Sequence, residues 1–175
     1  MAPEAAAVPS GWRSVAVGSG AVSRSQLRGP RWRRLSRGLY VPAVDAANDL
    51  ADLGDLAQVL PSGSGFGHLT AVSARGWWLP NRLPRHVVFA STRSGVHVQR
   101  SGMYVRRSRL LELEHVRGLP MASAPTLLVE LARDLTLVDL VPMVDCALAG
   151  GATVEQLRAA CRRRTRGVVT LRRAI

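Results

Sequence analysis

The sequence predicts an α+β fold: a small, degenerate winged-helix-like unit, followed by an α/β body in which helices flank a mostly antiparallel sheet. Three observations support this prediction. Short segments of alternating polarity, bounded by Gly and Pro, are typical of hairpin strands. Apolar residues at helical spacing follow capping signals, above all in the last third of the chain. The net charge of +12 is unevenly spread over the 175 residues, which predicts separate basic and acidic faces.

The first unit is predicted to span residues 12–42, after a flexible lead at 1–11 that is rich in Ala and Pro. A weak helical pattern from Val15 to Val22 opens the unit. Ser23 and Gln26 then have the spacing of a capping box, in which each side chain bonds the other residue's backbone N–H. A short helix is therefore predicted to start after Ser23.

A tight hairpin is predicted next, with strands at Trp32–Leu35 and Leu39–Val41 on either side of Ser36-Arg37-Gly38. All 24 basic residues of the chain are arginines, and six of them fall in this helix and hairpin with no acidic residue between them. Such a run is typical of a surface that meets phosphate. The six candidate DNA-binding residues are Arg24, Arg28, Arg31, Arg33, Arg34 and Arg37.

The body is predicted to span residues 43–175. Asp45 is predicted to cap a helix that runs to Leu60, and 62–67 is predicted to be a Gly/Ser loop. A short helix from His68 to Trp78 then leads into the sheet. Strands are predicted at 86–91, 96–99 and 103–107, a further hairpin at 115–122, and later helices that begin near Ser123, Thr136, Thr153 and Val168.

The absence of lysine argues against several enzyme classes. P-loop nucleotide hydrolases, protein kinases and Schiff-base enzymes each need a lysine. Arginine rarely replaces it, because the guanidinium stays protonated near neutral pH. The histidines and cysteines lack metal-ligand spacing, and His68, at a predicted helix start, is expected to pack or to hydrogen-bond. We therefore expect a protein with no catalytic site, metal or cofactor.

A second basic patch is predicted on the helix and loop near the C-terminal end. Runs of this kind are usually solvated faces, and phosphate contact is the alternative. No apolar stretch is long enough to span a bilayer, and the N-terminal segment is a poor signal peptide. We therefore expect a cytoplasmic protein that contacts DNA and no membrane. The patch consists of Arg158, Arg162, Arg163, Arg164 and Arg166.

Three segments together resemble one protein family. Ser23–Pro42 resembles the opening of the AbiEi-type antitoxins that are common in actinobacteria, Gly67–Pro80 resembles their following helix, and Gly118–Ala132 resembles their later strand-to-helix junction. The resemblance covers roughly residues 14–175. It implies a winged-helix DNA-binding head on an α/β body. It also implies a non-enzymatic regulator that represses its own operon and counters a nucleotidyltransferase toxin, with no need for a direct complex.

Two alternatives remain open. Many actinobacterial relatives continue into an endonuclease domain that resembles the very-short-patch-repair (Vsr) type, and the chain would then be the N-terminal targeting module of such an enzyme. A protein-interaction module for an acidic partner is the other alternative. In the antitoxin-like interpretation, Trp32 and Tyr40 are predicted to pack the hairpin onto the body.

Overall fold

The computed structural model describes residues 15–16, 22–43, 49–80, 87–93, 99–100, 102–161 and 165–175. The chain divides into two compact units, Met1–Val59 and Leu60–Ile175. The boundary therefore follows Val59, whereas the sequence suggested residue 42, because the helix after the hairpin packs with the first unit. The predicted lead at 1–11 and the predicted cap Asp45 lie outside the described residues.

Three strands and two helices are described in the first unit. They are β1 (Val15–Ala16), α1 (Arg24–Leu27), β2 (Trp32–Ser36), β3 (Leu39–Pro42) and α2 (Asp49–Ala57). The strands form an antiparallel sheet in the order β1-β3-β2. The capping box at α1 is confirmed, since Gln26 Oε1 accepts the backbone N–H of Ser23 at 2.8 Å and Ser23 Oγ accepts that of Gln26 at 3.3 Å.

The helical pattern predicted from Val15 to Val22 is wrong where the chain is described. Val15 and Ala16 form β1, paired with Tyr40 and Leu39 of β3. A short segment interrupted by glycines nucleates a helix poorly, whereas strand pairing satisfies its backbone groups at the free edge of β3. Residues 17–21 lie outside the described part of the chain.

The described part of the second unit holds six strands and five helices. The strands form one sheet in the order β6-β7-β5-β4-β9-β8. The strands are β4 (Ser64–Phe66), β5 (Val88–Thr92), β6 (Gln99–Arg100), β7 (Met103–Arg107), β8 (Leu113–Val116) and β9 (Leu119–Ala122). The helices are α3 (His68–Arg75), α4 (Ala124–Leu131), α5 (Leu137–Ala149), α6 (Val154–Ala160) and α7 (Val168–Ala174).

This sheet is mixed, so the α+β class is confirmed but the mostly antiparallel arrangement holds only in part. β4 pairs with β9 in parallel, and β5 pairs with β7 in parallel. The remaining neighbours are antiparallel. The sequence signals located hairpins between consecutive strands, but pairing between distant strands depends on how the chain returns to the sheet.

The Gly/Ser loop predicted at 62–67 is wrong over Ser64–Phe66, because these residues form β4 in the interior of the sheet. Gly65 explains the discrepancy. A Cβ atom at this position would lie 2.6 Å from Cδ2 of Leu113 and 2.9 Å from the carbonyl oxygen of Pro120. Glycine is therefore needed here for the close approach of neighbouring strands.

The capping signals at Thr136 and Thr153 are confirmed. Thr136 Oγ1 donates to Asp139 Oδ2 at 2.7 Å at the start of α5. At the start of α6, Thr153 Oγ1 accepts the backbone N–H of Gln156 at 3.2 Å. The core that these helices close is rich in fully buried leucines, namely Leu127, Leu128, Leu131, Leu140, Leu157 and Leu171. None of the described helices is long and apolar enough to cross a membrane.

Candidate functional site

The six arginines predicted to bind DNA lie on α1, on β2 and in the turns that flank β2. Five of them are exposed, and Arg33 is half-buried. Four of the exposed arginines make no ion pair with any described residue, and we call them the arginine surface. These four are Arg24, Arg28, Arg31 and Arg34. Arg37, in the hairpin turn, is also exposed, but it takes part in an interaction within the protein.

Local structure places the arginine surface on two adjacent elements. Arg24 and Arg28 are four residues apart at the two ends of α1, so they project from the same side of this single helical turn. Leu27, between them in sequence, is buried and anchors the turn. The base of the hairpin is closed by a hydrogen bond from the N–H of Ala43 to the carbonyl oxygen of Arg31 at 2.9 Å.

Strand register separates two arginines that are adjacent in sequence. Arg33 lies opposite Val41, which is fully buried, whereas Arg34 lies opposite Tyr40, which is half-exposed. Successive side chains of a strand point to opposite faces, so Arg33 and Arg34 cannot serve the same surface.

Arg33 is bound within the first unit. Its Nη2 atom lies 2.9 Å and 2.8 Å from the two carboxylate oxygens of Asp52 on α2. This pair links the inner face of the hairpin to the helix that follows it. Arg33 therefore has a partner inside the protein, and its contact with phosphate stays a prediction.

The outward face of the hairpin carries Trp32, Arg34 and Tyr40. Trp32 and Tyr40 are both half-exposed, and Arg34 is exposed. The Nε of Arg34 donates to the carbonyl oxygen of Ser36 at 3.3 Å, which leaves its terminal nitrogens without a described partner. Aromatic rings and an available guanidinium thus share one face.

The second basic patch is described only at its two ends. Arg158 on α6 and Arg166 before α7 are exposed. Residues 162–164, which contain its three central arginines, lie outside the described residues. The patch therefore stays a prediction.

A second group of charged residues was not found from the sequence. We call it the polar cluster, and its members come from α3, β5, β7 and the end of α4. Ser91 Oγ donates to Glu130 Oε1 at 2.7 Å, and both residues are buried. His68 Nε2 lies 3.1 Å from Asp134 Oδ2, and Arg106 Nη1 donates to the same oxygen at 2.9 Å. Its members are His68, Ser91, Arg106, Glu130 and Asp134.

Burial sets the electrostatics of the polar cluster. Burial and the nearby charge of Arg106 lower the pKa of His68, although Asp134 acts in the opposite direction. Burial raises the pKa of Glu130, although the hydrogen bond from Ser91 opposes this. Burial alone would raise the pKa of Asp134, but the hydrogen bond and charge of Arg106 outweigh it and hold that pKa below its ordinary value.

The polar cluster has the character of a structural junction. His68 begins α3 with a φ of 49°, and its ring lies 4.6 Å from that of Phe89 between centroids. Its Nδ1 atom is buried and has no hydrogen-bond partner among the described residues. His68 thus packs and hydrogen-bonds, as expected for this position. No group of three or more potential metal ligands occurs among the described residues.

A cleft of about 750 Å³ lies within the second unit. Its volume would suit a small ligand. One of the charged residues that line it is already paired: Arg75 forms an ion pair with Glu114, donates to the carbonyl oxygen of Ala122 at 2.6 Å and lies 5.3 Å from the ring centre of Trp77. Nothing in this arrangement selects a class of ligand.

Comparison with known proteins found no matching family model, no matching curated protein and no matching solved structure. The resemblance to AbiEi-type antitoxins therefore rests on the three sequence segments alone.

Proposed function

We propose that the protein binds nucleic acid through the arginine surface of its first unit. The observation that carries this proposal is that the four guanidinium groups are exposed and unpaired among the described residues, on two adjacent elements. Guanidinium groups bind phosphate oxygens by paired, charge-assisted hydrogen bonds. None of the four pairs with a carboxylate of a described residue, which leaves these donors available to an external anion.

Nucleic acid is favoured over a membrane surface as that anion. Binding in the plane of a membrane requires a helix long enough to bury an apolar face among the lipids. Here the arginine surface lies on a helix of four residues and on the adjoining hairpin, and the one apolar side chain of that helix, Leu27, is buried within the unit. Phosphate contact along a nucleic-acid backbone needs only exposed cations.

A more specific role follows from the resemblance, and we propose it on that basis. The protein would be a cytoplasmic, non-enzymatic regulator that represses its own operon and opposes a nucleotidyltransferase toxin. The helix–hairpin order of the first unit supports a winged-helix-like head, in which a helix approaches the major groove and the hairpin follows the backbone.

Salt dependence tests the proposal directly. Fluorescence anisotropy of a labelled DNA duplex should show affinity that falls steeply with salt, because bound arginines release counterions. The quadruple variant Arg24→Gln, Arg28→Gln, Arg31→Gln and Arg34→Gln should weaken binding at low salt by about 100-fold and reduce the log–log salt slope by about 3.

A matched control variant tests whether the position of the arginines matters or only the net charge of the protein. The variant Arg107→Gln, Arg109→Gln, Arg117→Gln and Arg173→Gln removes four exposed arginines from the second unit. It should leave most of the affinity in place. An equal loss in both variants would show that only total charge matters, and a flat salt response of the unaltered protein would overturn the proposal. Binding of polyglutamate in place of DNA would instead favour the protein-interaction module.

The Vsr-like targeting module would use the same arginine surface, so binding alone does not separate it from a regulator. The coding sequence after Ile175 distinguishes the two. An acidic and lysine-containing nuclease motif there would identify the targeting module. A neighbouring nucleotidyltransferase gene would favour the antitoxin-like role.

A further inference from the structure

We infer that the outward face of the β2–β3 hairpin binds unpaired nucleotides, with bases stacked on Trp32 and Tyr40 and a phosphate held by Arg34. This inference rests on the proposed binding of nucleic acid by the arginine surface and narrows the class of nucleic acid; it does not depend on the antitoxin-like role. The arginine surface would bind the backbone of any nucleic acid, whereas the aromatic face would favour a single strand.

Strand register brings the three side chains together. Arg34 lies directly opposite Tyr40, and Trp32 lies opposite Pro42. Trp32 and Tyr40 are therefore diagonal neighbours on one face, at a separation of about 7–8 Å. Arg34 completes a compact group of two rings and one guanidinium.

The two rings lie on the face of the hairpin that does not form the core. The same hairpin fully buries Val41 and leaves Leu39 only 2% exposed, so its inner face already supplies the core. Trp32 and Tyr40 lie on the other face and are half-exposed. Among the described residues, neither ring stacks on another aromatic ring or on a guanidinium.

Ring chemistry and charge favour an unpaired strand as the occupant. In a duplex the faces of the bases are covered by their neighbours, so a protein meets only base edges and the backbone. Unpaired bases expose their faces, and aromatic side chains beside a basic surface stack on them with little sequence preference. The run from Arg24 to Arg37 contains no acid that would repel the strand.

Paired anisotropy titrations test the inference, with oligothymidylate of about 16 nucleotides and a duplex of equal length. The unaltered protein should bind the single strand more tightly. Trp32→Ala and Tyr40→Ala should each weaken single-strand binding about tenfold, and should leave duplex binding unchanged. Trp32→Phe and Tyr40→Phe should retain the affinity, because a ring remains. Trp78→Ala is the matched control, since Trp78 is 46% exposed but lies in the second unit.

A spectroscopic measurement covers the case in which an alanine variant fails to fold. In a protein whose other tryptophans are replaced by Phe, the fluorescence of Trp32 should be quenched by the single strand and not by the duplex. Tighter duplex binding with no such quenching would overturn the inference and leave the proposed function intact. Loss of salt-dependent binding to both ligands would overturn both.

Discussion

The arginine surface and the polar cluster use charged side chains in opposite ways. On the arginine surface, four guanidinium groups face solvent and make no ion pair with a described residue. In the polar cluster, every member bonds another member. A solvated charge costs the fold little and stays available to a ligand, whereas a buried polar group must be paired to be tolerated.

We therefore expect the polar cluster to contribute to stability and the arginine surface to contribute to nucleic-acid binding. Substitutions in the polar cluster should lower the free energy of unfolding and leave nucleic-acid affinity unchanged. Substitutions on the arginine surface should weaken nucleic-acid binding and leave the free energy of unfolding unchanged.

The largest effect is expected from Glu130→Ala. The change removes the acceptor of Ser91 and leaves a cavity in the core. The free energy of unfolding should fall by about 3 kcal/mol. Urea unfolding, followed by the fluorescence of Trp77 and Trp78 with the other tryptophans replaced by Phe, would measure it. Asp145→Ala removes an exposed helical carboxylate and should have little effect, and equal losses in the two variants would break the contrast.

A smaller effect is expected from Gly67→Ala. A Cβ atom there would lie 2.7 Å from both Glu130 Oε2 and Ser91 Oγ, so the cluster would have to shift. We expect a loss of about 2 kcal/mol in the same urea experiment. Combining it with Ser91→Ala should cost less than the sum of the single changes, because the clash is partly relieved. Strict additivity would contradict this account.

The adjacent residues Arg33 and Arg34 give the most direct comparison between a paired arginine and an exposed one. Arg33→Ala should lower the stability of the first unit by about 1 kcal/mol, because it breaks a half-exposed pair with Asp52, and should change DNA affinity little. Arg34→Ala should weaken DNA binding about fivefold and leave stability unchanged. Urea unfolding followed by Trp32 fluorescence, together with anisotropy, distinguishes them. If Arg33→Ala weakened DNA binding and Arg34→Ala lowered stability, the assignment of the two faces of the hairpin would be wrong.

The smallest effect concerns pH. The pKa of His68 in the folded protein lies below its ordinary 6.5. As pH falls, the imidazole is therefore protonated more readily in the unfolded chain than in the folded one, so stability is lost as pH falls below about 6.5. A raised Glu130 pKa has the opposite sign: it adds stability below the ordinary 4.5, which is lost as pH rises through the folded value. In Glu130→Gln, stability should therefore fall from pH 7 towards pH 5, and His68→Asn should abolish that fall. DNA affinity should not follow this profile, because arginine keeps its charge.

Local sequence signals predicted much of the fold. The capping boxes at Ser23, Thr136 and Thr153 and the hairpin at Trp32–Val41 are satisfied within a few residues of chain, so they can be recognised without the tertiary structure. β4 could not be recognised in this way. Its Ser-Gly composition suits a loop, and only the close approach of Leu113 and Pro120 explains the glycine.

One signal for the polar cluster was present in the sequence. Glu130 lies in the otherwise apolar segment Leu127–Ala132, and Asp134 follows one helical turn later. A carboxylate on an apolar helix face indicates a buried partner. The identity of that partner depends on strands 39 and 28 residues away, where Ser91 and Arg106 lie.

The class of fold, the capped helices, the hairpin and the arginine-rich character of the first unit could be predicted from the amino-acid sequence, because these depend on neighbouring residues and on composition. Only the tertiary structure decided which arginines are available. Strand register and the packing of α2 assign Arg33 to Asp52 and leave Arg34 on the outward face. The polar cluster also depends on contacts between residues that are distant in sequence, since a buried charge is stable only where the fold brings a partner to it.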